Sequence, residues 1–147
     1  MRNQAFMDTA FLIALIDRSD KYHNIAVECY RELIQEKWSV VVTESILIEM
    51  GNGLSELKWR QTAWQWITGI QKSKSIFEVV PVTTEVVKKA IELYGSRLDK
   101  EWGLTDCISF IIMQERGLNF ALTVDHHFEQ AGFTIFMDIS KVVSVTG

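Results

Sequence analysis

The sequence predicts an α/β fold: a parallel sheet with helices covering both of its faces. Short apolar runs alternate along the chain with segments whose apolar residues recur at helical spacing. One such run, Trp38 to Val42, is β-branched and apolar in the way of a strand buried on both sides. Two runs, AFM and FALTV, end close to an acid, Asp8 or Asp125, where open α/β sheets collect ligands beyond the carboxyl ends of their strands.

Residues 5–7 read as the first strand, followed by a helix from about Thr9 to Ile16. Ser19 or Asp20 is expected to cap a second helix, on which Ala26, Cys29, Tyr30, Leu33 and Ile34 share a face. After the strand at Trp38–Val42, Thr43 is a natural N-cap for a helix carrying Ile46, Leu47, Glu49 and Met50. Gly51 and Gly53 punctuate the chain before another amphipathic stretch, with Trp59, Ala63, Trp66, Ile67 and Ile70 on one side. Ile76 to Val82 reads as the third strand, and Thr83 or Thr84 caps a helix reaching about Leu98. A polar loop, Asp99 to Gly103, leads to Thr105, read as the cap of a buried helix that runs through Met113 and stops at Gly117. Phe120 to Val124 and Thr134 to Met137 are the last two strands.

At 147 residues, 48% hydrophobic and 23% charged, the composition is that of one globular domain spanning residues 1–147, with no linker or repeat. No apolar run approaches the roughly 20 residues that cross a bilayer, and MRNQAFMD lacks the pattern of an export signal. The expected location is therefore cytoplasmic, without a membrane partner. Cys29 and Cys107 lie on apolar helix faces without ligand spacing and read as buried thiols. A net charge of −4 argues against a protein that coats nucleic acid by neutralising phosphates. It leaves a nuclease open, because a bound metal reverses the sign of an acidic site.

Four acids stand beside apolar segments: Asp8, Glu49, Asp106 and Asp125. Ionised groups are costly next to a core unless something compensates, and a divalent cation is the simplest compensation. Mg²⁺ or Mn²⁺ held by two or three carboxylates and water could polarise a phosphoryl oxygen and activate water, so that no protein nucleophile is needed. Each acid also has an ordinary explanation. Asp8 could be an N-cap, Asp106 a favourable first-turn acid, Glu49 a surface charge and Asp125 part of a turn. The hydroxyls of Thr9, Thr105 and Thr123 could orient metal-bound water or simply cap helices. His126 and His127 invite a metal or acid–base role beside Asp125, but read rather as local packing and polarity facing the substrate.

The segments FMDTAFLIALIDRSDKYH, VVVTESILIEM, GLTDCISFIIMQERG and ALTVDHHFEQAGF together resemble the PIN-domain family, and within it the VapC-like toxins of bacterial toxin–antitoxin pairs. The resemblance runs over roughly residues 5–137 with its blocks in the family order. It implies a three-layer α/β/α sandwich around a parallel five-stranded sheet, and Mg²⁺- or Mn²⁺-dependent endoribonuclease activity on RNA phosphodiester bonds. By position, Asp8, Glu49, Asp106 and Asp125 match the acidic quartet. Asp8 and Asp106 would be direct metal ligands, Asp125 and Glu49 supporting ones, and Thr123 would stand near the metal. The expected partners are RNA, a cognate antitoxin and a second copy of the chain.

Three aromatics crowd one helical segment, Trp59, Trp64 and Trp66, more than one face can bury; surplus exposed aromatics mark interfaces. Trp102, just before Asp106, could face substrate or antitoxin. Other readings compete with the leading one. A phosphotransferase with Asp8 as nucleophile would usually have a second Asp two residues on, where Ala10 stands. A regulatory module binding metal or RNA without turnover, or a PIN nuclease acting on DNA, would carry the same acids.

Overall fold

The computed structural model describes residues 3–136 of the chain. Five strands, β1 (Gln4–Met7), β2 (Ser39–Thr43), β3 (Phe77–Val80), β4 (Phe120–Leu122) and β5 (Thr134–Phe136), form one sheet. The order is β3-β2-β1-β4-β5 and every neighbouring pair is parallel. Ala5, Phe6, Met7, Val40, Val41, Val42, Ala121 and Leu122 are all fully buried, because side chains on both sides of these strands meet helices. The expected strand at 134–137 is present, although Met137 itself lies outside the described residues.

Seven helices connect the strands: α1 (Thr9–Ile16), α2 (His23–Gln35), α3 (Glu44–Gly53), α4 (Leu57–Lys72), α5 (Thr84–Ser96), α6 (Leu104–Glu115) and α7 (His126–Gln130). From β1 to β3 the chain steps outward in one direction; it then crosses beyond β1 to β4 and steps the other way to β5. Right-handed crossovers therefore put α1 to α4 on one face and α5 to α7 on the other, which gives the three layers. The packing agrees: α1 meets α2 and α3, α3 meets α4, and α6 meets α5 and α7. The direction reverses between β1 and β4, so the carboxyl ends of those two strands open the crevice where such sheets bind ligands.

Helix α1 is buried almost all round, through Phe11, Leu12, Ala14, Leu15 and Ile16, while α4 turns only Ala63 and Ile70 fully inward. Thr43 and Thr83 are N-caps as expected, their hydroxyls accepting the amides of Ile46 and Val86. Other boundaries differ from the sequence reading. Helix α2 starts at His23, and Asp20 Oδ1 instead accepts the Tyr22 amide to close the preceding turn. Gly51 lies inside the last turn of α3 and Gly53 is its final residue, so the break falls at the second glycine and not the first. A Cβ on Gly51 would meet the Ile67 side chain at 3.5 Å, an ordinary contact, so nothing in the packing there demands a break. The N-cap of α6 is Gly103, with Thr105 already inside the first turn. Gly117 does follow that helix, at φ +66°, the left-handed position that glycine tolerates.

The short helix α7 was not expected from sequence; five residues carry too little periodicity to register. It is pinned by Phe128, fully buried between Phe6 and Phe110, whose ring centroids lie 6.1 and 5.0 Å away. Trp102 adds a second tie, donating Nε1–H to Gln130 Oε1 over 3.0 Å while its ring packs edge-on against Phe110. Of the crowded tryptophans, Trp59 and Trp66 pack against the core, and Trp64 is 63% exposed. Among the described residues no helix is long and apolar enough to cross a membrane.

Candidate metal centre

Asp8 follows the last residue of β1 and occupies the N-cap position of α1, yet its carboxylate makes no capping bond into that helix. It is 5% exposed, and Thr123 Oγ1 donates to its Oδ2 over 3.0 Å. Burial pushes its carboxyl up to about 7 from 3.8. The Thr9 amide and the Thr123 hydroxyl oppose that rise, and the charges of Asp106 and Asp125 add to it. A buried acid this far from its ordinary range lacks a compensating positive charge, which is what a cation would provide.

Asp106 is brought to the same rim by the first turn of α6, at the third helical position. Its Oδ2 accepts the Gly103 amide over 3.0 Å, the returning half of a capping box. Burial raises its carboxyl too, with Asp125 contributing, while the Gly103 amide and His127 pull the other way. Asp125 stands three residues beyond β4 as the N-cap of α7, where its Oδ1 accepts the His127 amide over 2.9 Å. Thr123, 1% exposed, joins the two strand ends: besides donating to Asp8, it accepts the Asp125 amide over 3.0 Å.

The ordinary explanations thus hold in part. Asp125 and Asp106 do serve as a cap and a first-turn acid, but their carboxylates also approach each other. Ligand atoms of Asp106, Asp125 and His127 lie within 4.8 Å of one another. Thr9 Oγ1, on a residue 7% exposed, is buried beside Asp8 without a hydrogen-bond partner. Two carboxylates drawn together, with an under-compensated buried acid and an orphaned hydroxyl nearby at the end of β1, are oxygen-rich surroundings that fit a hard divalent cation.

Glu49 is not gathered in. It is exposed on α3, in a helix that starts at the same rim directly after β2, and it does not belong to the converging group. His127, for which packing outweighs a metal or acid–base role in the sequence, has its Nδ1 3.1 Å from Asp106 Oδ2 and 3.4 Å from Asp125 Oδ1. The available signal was its place two residues after Asp125; that it faces Asp106, 21 residues away, is a matter of tertiary structure.

The PIN domain family model matches residues 5–134. The chain is 27% identical over 128 residues to the 23S rRNA-specific endonuclease VapC20 of Mycobacterium tuberculosis, in strains CDC 1551 and H37Rv, with 87% of this chain and 94% of that protein covered. The crystal structure of M. tuberculosis VapC20, described as a Sarcin-Ricin loop cleaving toxin, superposes with a TM-score of 0.77 at 26% identity, covering 88% of this chain and 96% of that one. FitAcB from Neisseria gonorrhoeae shares the fold at a TM-score of 0.65 and 18% identity, covering 90% and 96%. So does DNA-bound VapBC from Salmonella typhimurium, at 0.65 and 16%, covering 92% and 98%.

Proposed function

The chain belongs to the PIN-domain family, and from that premise we propose that it is a divalent-metal-dependent endoribonuclease acting as the toxin of a toxin–antitoxin pair. The observation that carries the reading is that Asp106 and Asp125 come together where the sheet reverses direction, beside Asp8, which is buried, bonded to Thr123 and raised to about 7. Mg²⁺ or Mn²⁺ is the proposed ion.

Asp8 and Asp106 are assigned as its direct ligands, with Asp125 completing the site. When bound, such an ion supplies charge to the scissile phosphate and lowers the pKa of a water. The chain's own part is placement. Thr123 fixes Asp8 against Asp125 through paired hydrogen bonds, and the Gly103 amide fixes Asp106. Glu49, exposed and free to reach substrate or water, is assigned to orienting the attacking water rather than to the first ring of ligands.

The substrate class is RNA. VapC20 is named for cutting 23S rRNA, and the likeness extends over nearly the whole of both chains, so a structured ribosomal RNA is the first target to examine. An antitoxin is the proposed protein partner, supported by structural neighbours solved as toxin–antitoxin complexes. A homodimer, a cytoplasmic location and a single domain over residues 1–147 complete the proposal. Ile48, Leu57 and Trp64 are exposed apolar positions on α3 and α4 available to such partners.

Expression of the chain in bacteria, with and without Asp8→Asn, tests this. Growth arrest accompanied by new 5′ ends in ribosomal RNA, both abolished by the substitution, is the expected result. Arrest that persists in the variant, or arrest without RNA cleavage, contradicts it.

A further inference from the structure

The acidic quartet leaves His127 unexplained. One ring nitrogen, Nδ1, faces two carboxylate oxygens at once, 3.1 Å from Asp106 Oδ2 and 3.4 Å from Asp125 Oδ1. A neutral imidazole has at most one proton on that nitrogen and can direct it at only one of the two. Three lone-pair donors converging on a common space is the arrangement expected around a cation. Cis ligands of an octahedral ion with bonds of about 2.1 Å are separated by about 3.0 Å, close to both distances.

The ring is also held in place. Its own backbone amide is bonded to Asp125 Oδ1, and the next residue, Phe128, is fully buried. The side chain is 30% exposed, against 81% for His126, which turns away to Glu129. Of the two adjacent histidines, only the second addresses the acids.

We infer that His127 Nδ1 is a direct ligand of the divalent cation, beside Asp106 and Asp125, giving a mixed oxygen–nitrogen site that favours Mn²⁺ over Mg²⁺. This rests on the metal-dependent reading above. Imidazole is a borderline donor: it raises the affinity of transition-metal ions, whereas Mg²⁺ favours oxygen donors and water. The lone pair on Nδ1 is given to the metal, which leaves the ring proton on Nε2. Carboxylates and Thr9 supply oxygen alone, so His127 is the group that sets the choice of ion.

The test is metal binding to the purified full chain, without RNA. Mn²⁺ is followed by the EPR signal of the free ion and Mg²⁺ by competition against it, for wild type, His127→Ala and His127→Gln. Both variants are expected to lose more Mn²⁺ affinity than the roughly 10- to 100-fold that a merely supporting partner carries, with Mg²⁺ affinity changing far less. Pulsed EPR of the wild-type Mn²⁺ complex should show coupling to a directly bound nitrogen, a readout that needs no variant to fold. Equal losses for the two ions, no loss, or no nitrogen coupling overturns the inference, leaving His127 as a hydrogen-bonding brace. If the wild type binds neither ion, the metal-dependent reading fails together with this one.

Discussion

Thr123 donates its hydroxyl to Asp8 Oδ2 over 3.0 Å, joining two residues 115 positions apart in the chain. The same oxygen accepts the Asp125 amide, so one side chain ties the ends of β1 and β4 across the point where the sheet changes direction.

Thr123→Val keeps the shape and removes both bonds. It takes one hydrogen bond from the buried Asp8 carboxyl and the hydroxyl partner from the Asp125 amide, so it should destabilise the protein by about 1–3 kcal/mol. RNA cleavage should fall more steeply than stability, because Asp8 loses its fixed orientation. Thr123→Ser should retain most of both. Chemical denaturation beside a cleavage assay checks the pair.

Asp8 contributes to the pH dependence of the metal-free protein, in the same direction as Asp106, whose carboxyl is also raised. Burial raises the Asp8 carboxyl from 3.8 to about 7. A carboxyl raised in this way stabilises the fold while protonated; the contribution is full below the unfolded value and is lost as pH rises through about 7. In EDTA the melting temperature should therefore fall between pH 5 and pH 8. Asp8→Asn should flatten that fall and exceed wild type by about 2–4 kcal/mol at pH 8. Saturating Mn²⁺ should reverse the ranking, since the cation stabilises only a site that retains its carboxylate.

Glu49, exposed and outside the converging group, should separate binding from catalysis. Glu49→Gln is expected to leave the melting temperature and Mn²⁺ affinity nearly unchanged while lowering the cleavage rate by about 10-fold or more, within the range for a positioned acid or base. A large loss of metal affinity in this variant would place Glu49 among the ligands instead.

Phe128 links the core to the site. Phe128→Ala should cost about 3–5 kcal/mol by opening a cavity between Phe6 and Phe110. Since α7 carries both Asp125 as its cap and His127, Mn²⁺ affinity should drop as well. Phe128→Leu should do less of each. Thermal unfolding and metal titration of the two variants test the coupling.

What could be read from the sequence follows the range of the forces involved. Helix α1 was legible to the residue because its signals are local: an acid ends the strand and FLIALI fills the helix. Thr43 was legible as a cap for the same reason, and the second cap was narrowed to Thr83 or Thr84, of which Thr83 fills the position. The misread boundaries depend on neighbours. Gly51 stays helical with α3 packed against α4, and Gly103 serves as an N-cap because Asp106 reaches back to its amide. At the site, Asp106 and Asp125 approach each other, and Thr123 links Asp8 to the Asp125 amide at the rim that the order of strands and helices suggested. A metal or acid–base role for His127 ranks below packing in the sequence because a histidine in a short polar segment has many ordinary uses, and only the folded chain points it at Asp106.

The central claim is that these acids hold a divalent cation that cuts RNA, and cleavage of ribosomal RNA by the purified chain tests it most directly. Wild type should cleave with Mn²⁺ or Mg²⁺, stop in EDTA and resume when metal is restored. Asp106→Asn should remain folded and cleave at least about 100-fold more slowly. Undiminished cleavage in EDTA, or by Asp106→Asn, would contradict the account.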